Sequence, residues 1–320
     1  MKERIIDFSE NGAKLRIRNK QLVIEINANG TETKKSAIPV EDIAVILLTH
    51  PMISLSKSLL EEFGESGGII VVTGRHFLPV GMYIPIVGHH LQTAHMRSQA
   101  AASVPLRKRV WQKIIQAKIR AQGEVLKEFT ENDGGLSLIA EKVKSGDKDH
   151  REAEAARRYW AHLFGNTHFR RDPGNGDLRN ICLNYGYAVL RSVTARAVCA
   201  AGLHPALGIF HHNQYDPFCL ADDLMEPFRP IIDRTVALLY HNGMNLELNK
   251  TVKKLLIDAV CGKYIHEKQK KSLFNIISSL TCSLADLYMS PKNHGPFFDF
   301  RISSTNLNRK EQCDVADCYV

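Results

Sequence analysis

The hydrophobic pattern of this chain changes period part-way along, and that change limits the fold to a sheet part followed by a helical part. Up to about residue 85 the apolar residues alternate or fall in short runs. Lys14-Leu-Arg-Ile-Arg18 alternates polar and apolar side chains, and Gln21-Leu-Val-Ile-Glu-Ile-Asn27 continues with β-branched residues. A period of two places the apolar set on one face of a strand. Asn19-Lys20 between these runs suits a tight turn, and Asn29-Gly30 is a second turn signal. Ile43–Leu48 and Ile69–Val72 read as buried strands, the latter entered through Gly67-Gly68. Ser54–Phe63 carries apolar residues at helical spacing and stops at Gly64.

From Gln99 the period becomes helical. Val104–Lys127 predicts a long helix opened by Pro105, with Val110, Ile114, Ile115, Ile119 and Val125 as its apolar stripe. Further helices are expected over Leu136–Lys144, Glu152–Phe164, Leu178–Ala201, the segment after Asp222, Glu247–Tyr264 and His266–Tyr288. The fold class is therefore α+β: a β-rich domain over 1–88, a linker over 89–98, a larger all-α domain over 99–290, and a tail over 291–320.

Composition narrows the function classes. Of 320 residues, 44% are hydrophobic and 24% charged, as in a soluble globular protein. The aliphatic runs are far shorter than the about 20 residues a bilayer span needs. The N-terminus has no apolar run, so no signal peptide is expected. Seven scattered cysteines suit a reduced, cytoplasmic protein, and the lone Cys313/Cys318 pair is a weak zinc signal. A net charge of +8 favours polyanionic partners. Much of it lies on the long helix, where Arg107, Lys108, Arg109, Lys113, Lys118 and Arg120 face only Glu124 and Glu128.

The residues that could carry chemistry gather in Gly208–Asp233. Asp222, Asp223 and Glu226 lie within five positions, so on a helix Asp223/Glu226 and Asp222/Glu226 share a side. Acids that merely complement a helix dipole would look the same. His211-His212, fifteen residues before Glu226, shifts the balance. An imidazole with two or three carboxylates suits magnesium or manganese better than zinc, because oxygen ligands dominate. Upstream, Glu152 and Glu154 open another helix, and spacing does not choose between them. His89, His90 and His95 lack an accompanying acid or thiol and read as a polar linker.

Four blocks, in order, resemble a known family. They are Ile38-Pro-Val-Glu-Asp-Ile43 with the Gly67–Val72 strand, Arg151-Glu-Ala-Glu-Ala-Ala-Arg-Arg-Tyr-Trp160, Leu183-Asn-Tyr-Gly-Tyr-Ala-Val-Leu190, and Gly208-x-x-His211 followed by Asp223-Leu-Met-Glu-Pro-Phe-Arg-Pro-Ile-Ile-Asp233. Together they resemble the CRISPR-associated endonuclease–integrase family, the catalytic subunit of spacer acquisition, over nearly the whole chain except its last 30 residues. The wording around Met225–Pro230 is similar to members found with single-protein effector systems.

The resemblance implies a metal-dependent DNA endonuclease and integrase. In this reaction the 3′-hydroxyl of a DNA fragment attacks a repeat phosphodiester, inserting the fragment as a new spacer in antiviral defence. It implies Glu152, His211 and Glu226 as catalytic metal ligands for Mg2+ or Mn2+, with Asp223, in or beside the site, as a further metal ligand, directly or through water. Arg107, Lys108, Arg109, Arg157, Arg170 and Arg171 become candidates for contacts to double-stranded DNA, contacts that position a duplex without reading its bases. The implied assembly is a homodimer through the β domains, joined with a small second adaptation subunit in a heterohexamer. An effector nuclease and an accessory DNA-end-binding protein are further expected partners. Two rivals stand beside this reading: a basic dimeric DNA-binding scaffold whose acids are only caps, and a metal-dependent phosphohydrolase for small substrates. The chain has no Gly-rich phosphate loop to support the second.

Overall fold

The computed structural model describes residues 4–28, 32–74, 79–85, 89–165, 168–291 and 297–303. The expected turn at Asn29-Gly30 and the Cys313/Cys318 pair lie outside the described residues. The chain divides into two compact units between residues 88 and 89.

The first unit holds strands β1 (Arg4–Phe8), β2 (Ala13–Arg18), β3 (Gln21–Ala28), β4 (Glu32–Pro39), β5 (Ile43–Leu48), β6 (Ile53–Leu55), β7 (Ile69–Thr73) and β8 (Pro79–Tyr83), with helix α1 (Lys57–Glu65) between β6 and β7. They form two four-stranded sheets, ordered β1-β5-β7-β8 and β4-β3-β2-β6. The period-two pattern of β2 becomes an alternation of buried and exposed residues, whereas β5 is buried along nearly its whole length. Asn19 and Lys20 close the β2–β3 hairpin with φ of 50° and 58°, as a two-residue turn matched to strand twist requires. The core between the elements gathers Ile6, Phe8, Leu15, Leu22, Ile24, Ile46, Leu59, Phe63 and Ile70.

The second unit is largely helical: α2 (Gln92–Ala100), α3 (Val104–Phe129), α4 (Leu136–Glu141), α5 (Arg151–Leu163), α6 (Leu178–Ala200), α7 (Cys219–Met225), α8 (Arg229–His241), α9 (Lys250–Val260) and α10 (Leu273–Met289). The apolar stripe expected on α3 is buried, including Val110, Ile114, Ile115 and Ile119. Helix α3 packs against α4, α5, α7 and α8, so its neighbours include the elements that carry the site. Helix α6 is buried along most of its length. Pro227 stops α7, and a single 3-10 turn over Glu226–Phe228 hands the chain to α8. Among the described residues no helix is long and apolar enough to cross a membrane.

Three expectations need correction. Residues 92–98, expected as linker, form most of α2, a helix anchored by two buried polar side chains, His95 and Gln99. His95 Nδ1 lies 2.8 Å from the Ala201 carbonyl, and Gln99 Nε2 donates to the carbonyls of His204 and Leu207 at 2.9 Å each. The rings of His89, His90 and His95 stack at 4.6 and 4.8 Å instead of lying loose in a linker. The part expected to be all-α contains the hairpin β9 (Lys263–His266) and β10 (Gln269–Ser272), with Glu267 and Lys268 at φ of 50° and 63°. In the expected tail, β11 (Ile302–Ser303) pairs antiparallel with β9.

Candidate active site

Helix α5 begins where Asp147 caps it. Its carboxylate accepts from the Arg151 and Glu152 N–H groups at 2.9 and 3.1 Å, satisfying donors a helix start leaves free. This fixes Glu152 in the first turn. Glu154, its rival, is committed elsewhere: Arg151 and Arg158 hold it at 2.7 and 2.8 Å. Glu226, at the break between α7 and α8, is almost fully buried.

The two acids meet at a third residue. Lys118 of α3 places Nζ 2.6 Å from Glu152 Oε1 and 2.6 Å from Glu226 Oε2. Arg229 Nε lies 3.0 Å from the other oxygen of Glu226. Burial alone would raise the Glu226 pKa, but the Arg229 and Lys118 cations hold it below the ordinary carboxylate range. Burial likewise opposes the charge on Lys118, and Glu226 and Glu152 overcome it and raise its pKa.

His211 is positioned by Asp223, which has no solvent exposure. One Asp223 oxygen accepts from the Ile209 and Phe210 N–H groups at 2.6 and 2.8 Å; the other accepts from the His211 N–H at 3.3 Å and lies 2.5 Å from His211 Nδ1. A carboxylate can only accept, so Nδ1 carries the proton and Nε2 is left as the ring's other face. The hydrogen bond to Asp223 raises the imidazole pKa against the opposing effect of burial. The loop needs glycine at 208, where a Cβ would lie 2.3 Å from the His211 carbonyl oxygen. Trp111 of α3 stacks on Phe210 at 4.4 Å and meets His211 edge-on at 5.7 Å.

Of the expected ligands, Glu152 and Glu226 share one ammonium, and His211 is near enough to Glu226 for each to feel the other's charge. Asp223, expected as a further ligand, has both oxygens engaged in holding His211 and its loop. Asp222 is clamped by Arg191, which also holds Asp216 at 2.8 Å, and burial pushes the Asp222 carboxyl up to about 6. His212 is exposed.

Among the described residues no three His, Cys, Asp or Glu side chains are gathered closely enough to hold a metal ion. The Lys118 ammonium stands between the two acids instead. The donor set nevertheless suits a divalent cation. Glu226 Oε2 is buried and meets Lys118 off the hydrogen-bonding direction, so it has a charge beside it but no hydrogen-bond donor. Two carboxylates and one imidazole with a free nitrogen are ligands for magnesium or manganese.

The expected DNA-contacting bases divide. Lys108, Arg109, Arg157 and Arg170 are exposed. Arg107 is half-buried with its Nε enclosed and lacking a hydrogen-bond partner. Arg171 turns inward, donating to Asn180 and Asn184 at 2.9 and 2.7 Å and lying over the Tyr187 ring. Its guanidinium braces the loop over residues 168–177, so it is not offered to a phosphate. Sequence reasoning counted Lys118 among the bases of a charged face and did not place it in the site; Arg229, Asp147 and Trp111 were missed. A signal for Lys118 was present: it lies three and four positions from Ile115 and Ile114, on the stripe that is buried.

Comparison with known proteins bears on this geometry. The family model described as CRISPR associated protein Cas1 matches residues 8–273. A protein named CRISPR-associated endonuclease Cas1, from Neisseria meningitidis serogroup C (strain 8013), is 37% identical over 278 residues, covering 86% of this chain and 88% of the relative. Among solved structures, a casposase bound to integration product superposes with a TM-score of 0.74 at 20% identity over 99% of both chains. A chain of a Cas6-RT-Cas1–Cas2 complex gives 0.70 at 16% identity, covering 91% of this chain and 35% of that one. At such identities the structural likenesses speak for the fold alone. The family match across most of the chain, and the relative above one-third identity over most of both sequences, establish that this chain belongs to the CRISPR-associated protein Cas1 family.

Proposed function

We propose that this chain is a metal-dependent DNA endonuclease and strand-transfer integrase that inserts DNA fragments as new spacers into a CRISPR array. The observation that carries the reading is the meeting of Glu152 and Glu226 at one point beside an imidazole held by Asp223. The endonuclease name of the Neisseria relative and the integration product bound by the casposase support it.

Glu152, Glu226 and His211 Nε2 would hold Mg2+ or Mn2+. Such an ion supplies a Lewis acid that polarises a phosphoryl oxygen and offsets the charge of the transition state. The chain's own residues do the rest. Asp223 keeps the His211 proton on Nδ1, so that Nε2 presents a lone pair. Arg229 pins one oxygen of Glu226, which leaves the other directed at Lys118. Asp147 sets the first turn of α5, and with it the reach of Glu152. The nucleophile is a DNA 3′-hydroxyl for strand transfer, or water for hydrolysis, so no side-chain nucleophile is needed. The exposed Lys108, Arg109, Arg157 and Arg170 would hold the duplex backbone.

The partners proposed are double-stranded DNA, a second copy of this chain, and a small second adaptation subunit in a heterohexamer. The complex containing Cas2 among the structural neighbours supports that subunit. An effector nuclease and a DNA-end-binding protein complete the list.

The test replaces Glu152, His211 and Glu226 by Ala one at a time and measures strand transfer of a short duplex into a plasmid carrying a repeat, with Mn2+. Each variant is expected to bind DNA as the wild type does and to lose strand transfer. Activity surviving all three substitutions would overturn the assignment. Loss of catalysis with binding intact excludes the scaffold reading.

A further inference from the structure

Two carboxylates that approach one point repel each other, and a buried setting strengthens the repulsion. Here a residue from neither acid-bearing element removes it. Lys118 emerges from α3 with its backbone fixed by the buried Ile114, Ile115 and Ile119. Its side chain is only 13% exposed, and its Nζ is 2.6 Å from an oxygen of each acid. With Arg229 on the second oxygen of Glu226, two cations balance two carboxylates. A pair so balanced attracts a divalent cation weakly, because the oxygens that would bind it already face an ammonium. A lysine can yield such a position: its four-carbon stem rotates while its backbone stays packed.

We propose that Lys118 is a built-in counter-cation of the acidic pair, holding Glu152 and Glu226 together in the metal-free protein and competing with the divalent cation for the same oxygens. Metal loading then requires the lysine stem to turn aside. The proposal rests on Glu152 and Glu226 being metal ligands, and its test separates the two ideas.

Mn2+ is titrated into full-length wild type, Lys118→Met, Lys118→Arg and Glu152→Gln, with free ion read by electron paramagnetic resonance and thermal unfolding followed in EDTA. Lys118→Met is expected to bind Mn2+ about tenfold or more tightly than wild type, within the range by which partners of ligands tune metal sites. Without metal it unfolds at a lower temperature than wild type, and Mn2+ raises that temperature more. Lys118→Arg keeps the charge and binds no tighter than wild type. Should Lys118→Met fail to fold, Lys118→Gln carries the same expectation. If Glu152→Gln loses Mn2+ while the neutral Lys118 variants bind no tighter than wild type, the counter-cation role is overturned and the metal site stands. Mn2+ binding that survives Glu152→Gln overturns both.

Discussion

His211 Nδ1 and Asp223 Oδ1 lie 2.5 Å apart, and the same carboxylate accepts the N–H groups of Ile209, Phe210 and His211. One buried acid thus fixes both the loop and the ring it carries. Asp223→Asn turns one acceptor into a donor facing donors. It is expected to cost about 1–3 kcal/mol of stability and to lower strand transfer about 10- to 100-fold, with DNA affinity unchanged. Thermal unfolding and a strand-transfer time course measure the two effects.

Gly208 makes a similar point through space. A Cβ there would sit 2.3 Å from the His211 carbonyl oxygen and 2.9 Å from Cys219 Cβ, both parts of packed structure. Gly208→Ala is expected to destabilise by about 1–3 kcal/mol, as overpacking does, and to displace His211 enough to remove activity. Gly176→Ala, where a Cβ meets nothing within 4 Å, is the control and should unfold and react as wild type.

The two glutamates that sequence spacing left equal have different surroundings. Glu152 faces Lys118 and, through it, Glu226; Glu154 forms ion pairs with Arg151 and Arg158 on the helix surface. Glu152→Ala is expected to abolish strand transfer. Glu154→Ala should leave it intact and change stability little, because solvent screens exposed ion pairs. Equal activity in the two variants would overturn the assignment.

What the sequence disclosed, and what it hid, follows from how local each signal is. The β2–β3 hairpin was readable because two alternating strands flank a polar pair suited to a turn. The β9–β10 hairpin was not: its turn residues Glu267 and Lys268 carry no turn signature, and with Gln269-Lys-Lys271 after them they read as helix. The break at Glu226 was visible in Pro227. Convergence was not visible, since Glu152 and Glu226 meet through Lys118, a residue distant in sequence from both, and family resemblance supplied what spacing lacked. Asp223 was readable as an acid near the site but not as an acceptor of backbone N–H groups, because its partners depend on the fold of the 208–211 loop.

Behind the site, Asp233 accepts from the Tyr159 hydroxyl at 3.1 Å and from the Tyr187 hydroxyl, and burial pushes its carboxyl up to about 6. A raised acid pKa means the folded state binds the proton more tightly than the unfolded one. Stability from this group is therefore full below the unfolded value near 3.8 and declines as pH rises to about 6. Two pKa units correspond to about 3 kcal/mol. Asp233→Asn is expected to remove this decline, so the stability difference between variant and wild type should shift in the variant's favour between pH 4 and 6 and stay constant above. Denaturant unfolding across that range measures it.

Arg170 and Arg171 are neighbours in sequence with opposite surroundings. Arg170 is exposed, while Arg171 donates to Asn180 and Asn184 and lies 5.3 Å over Tyr187. If Arg170 meets a phosphate, Arg170→Ala weakens DNA binding similarly across sequences and lowers the slope of log affinity against log salt by about one. Arg171→Ala removes the guanidinium donor from the buried Asn184 amide oxygen and one of the two donors, the other being the Asp172 N–H, from that of Asn180, and is expected to cost about 1–3 kcal/mol of stability. Its salt slope should remain that of the wild type once the protein is folded. Titrations of a labelled duplex at several salt concentrations, paired with thermal unfolding, separate a residue that holds DNA from one that holds its own loop.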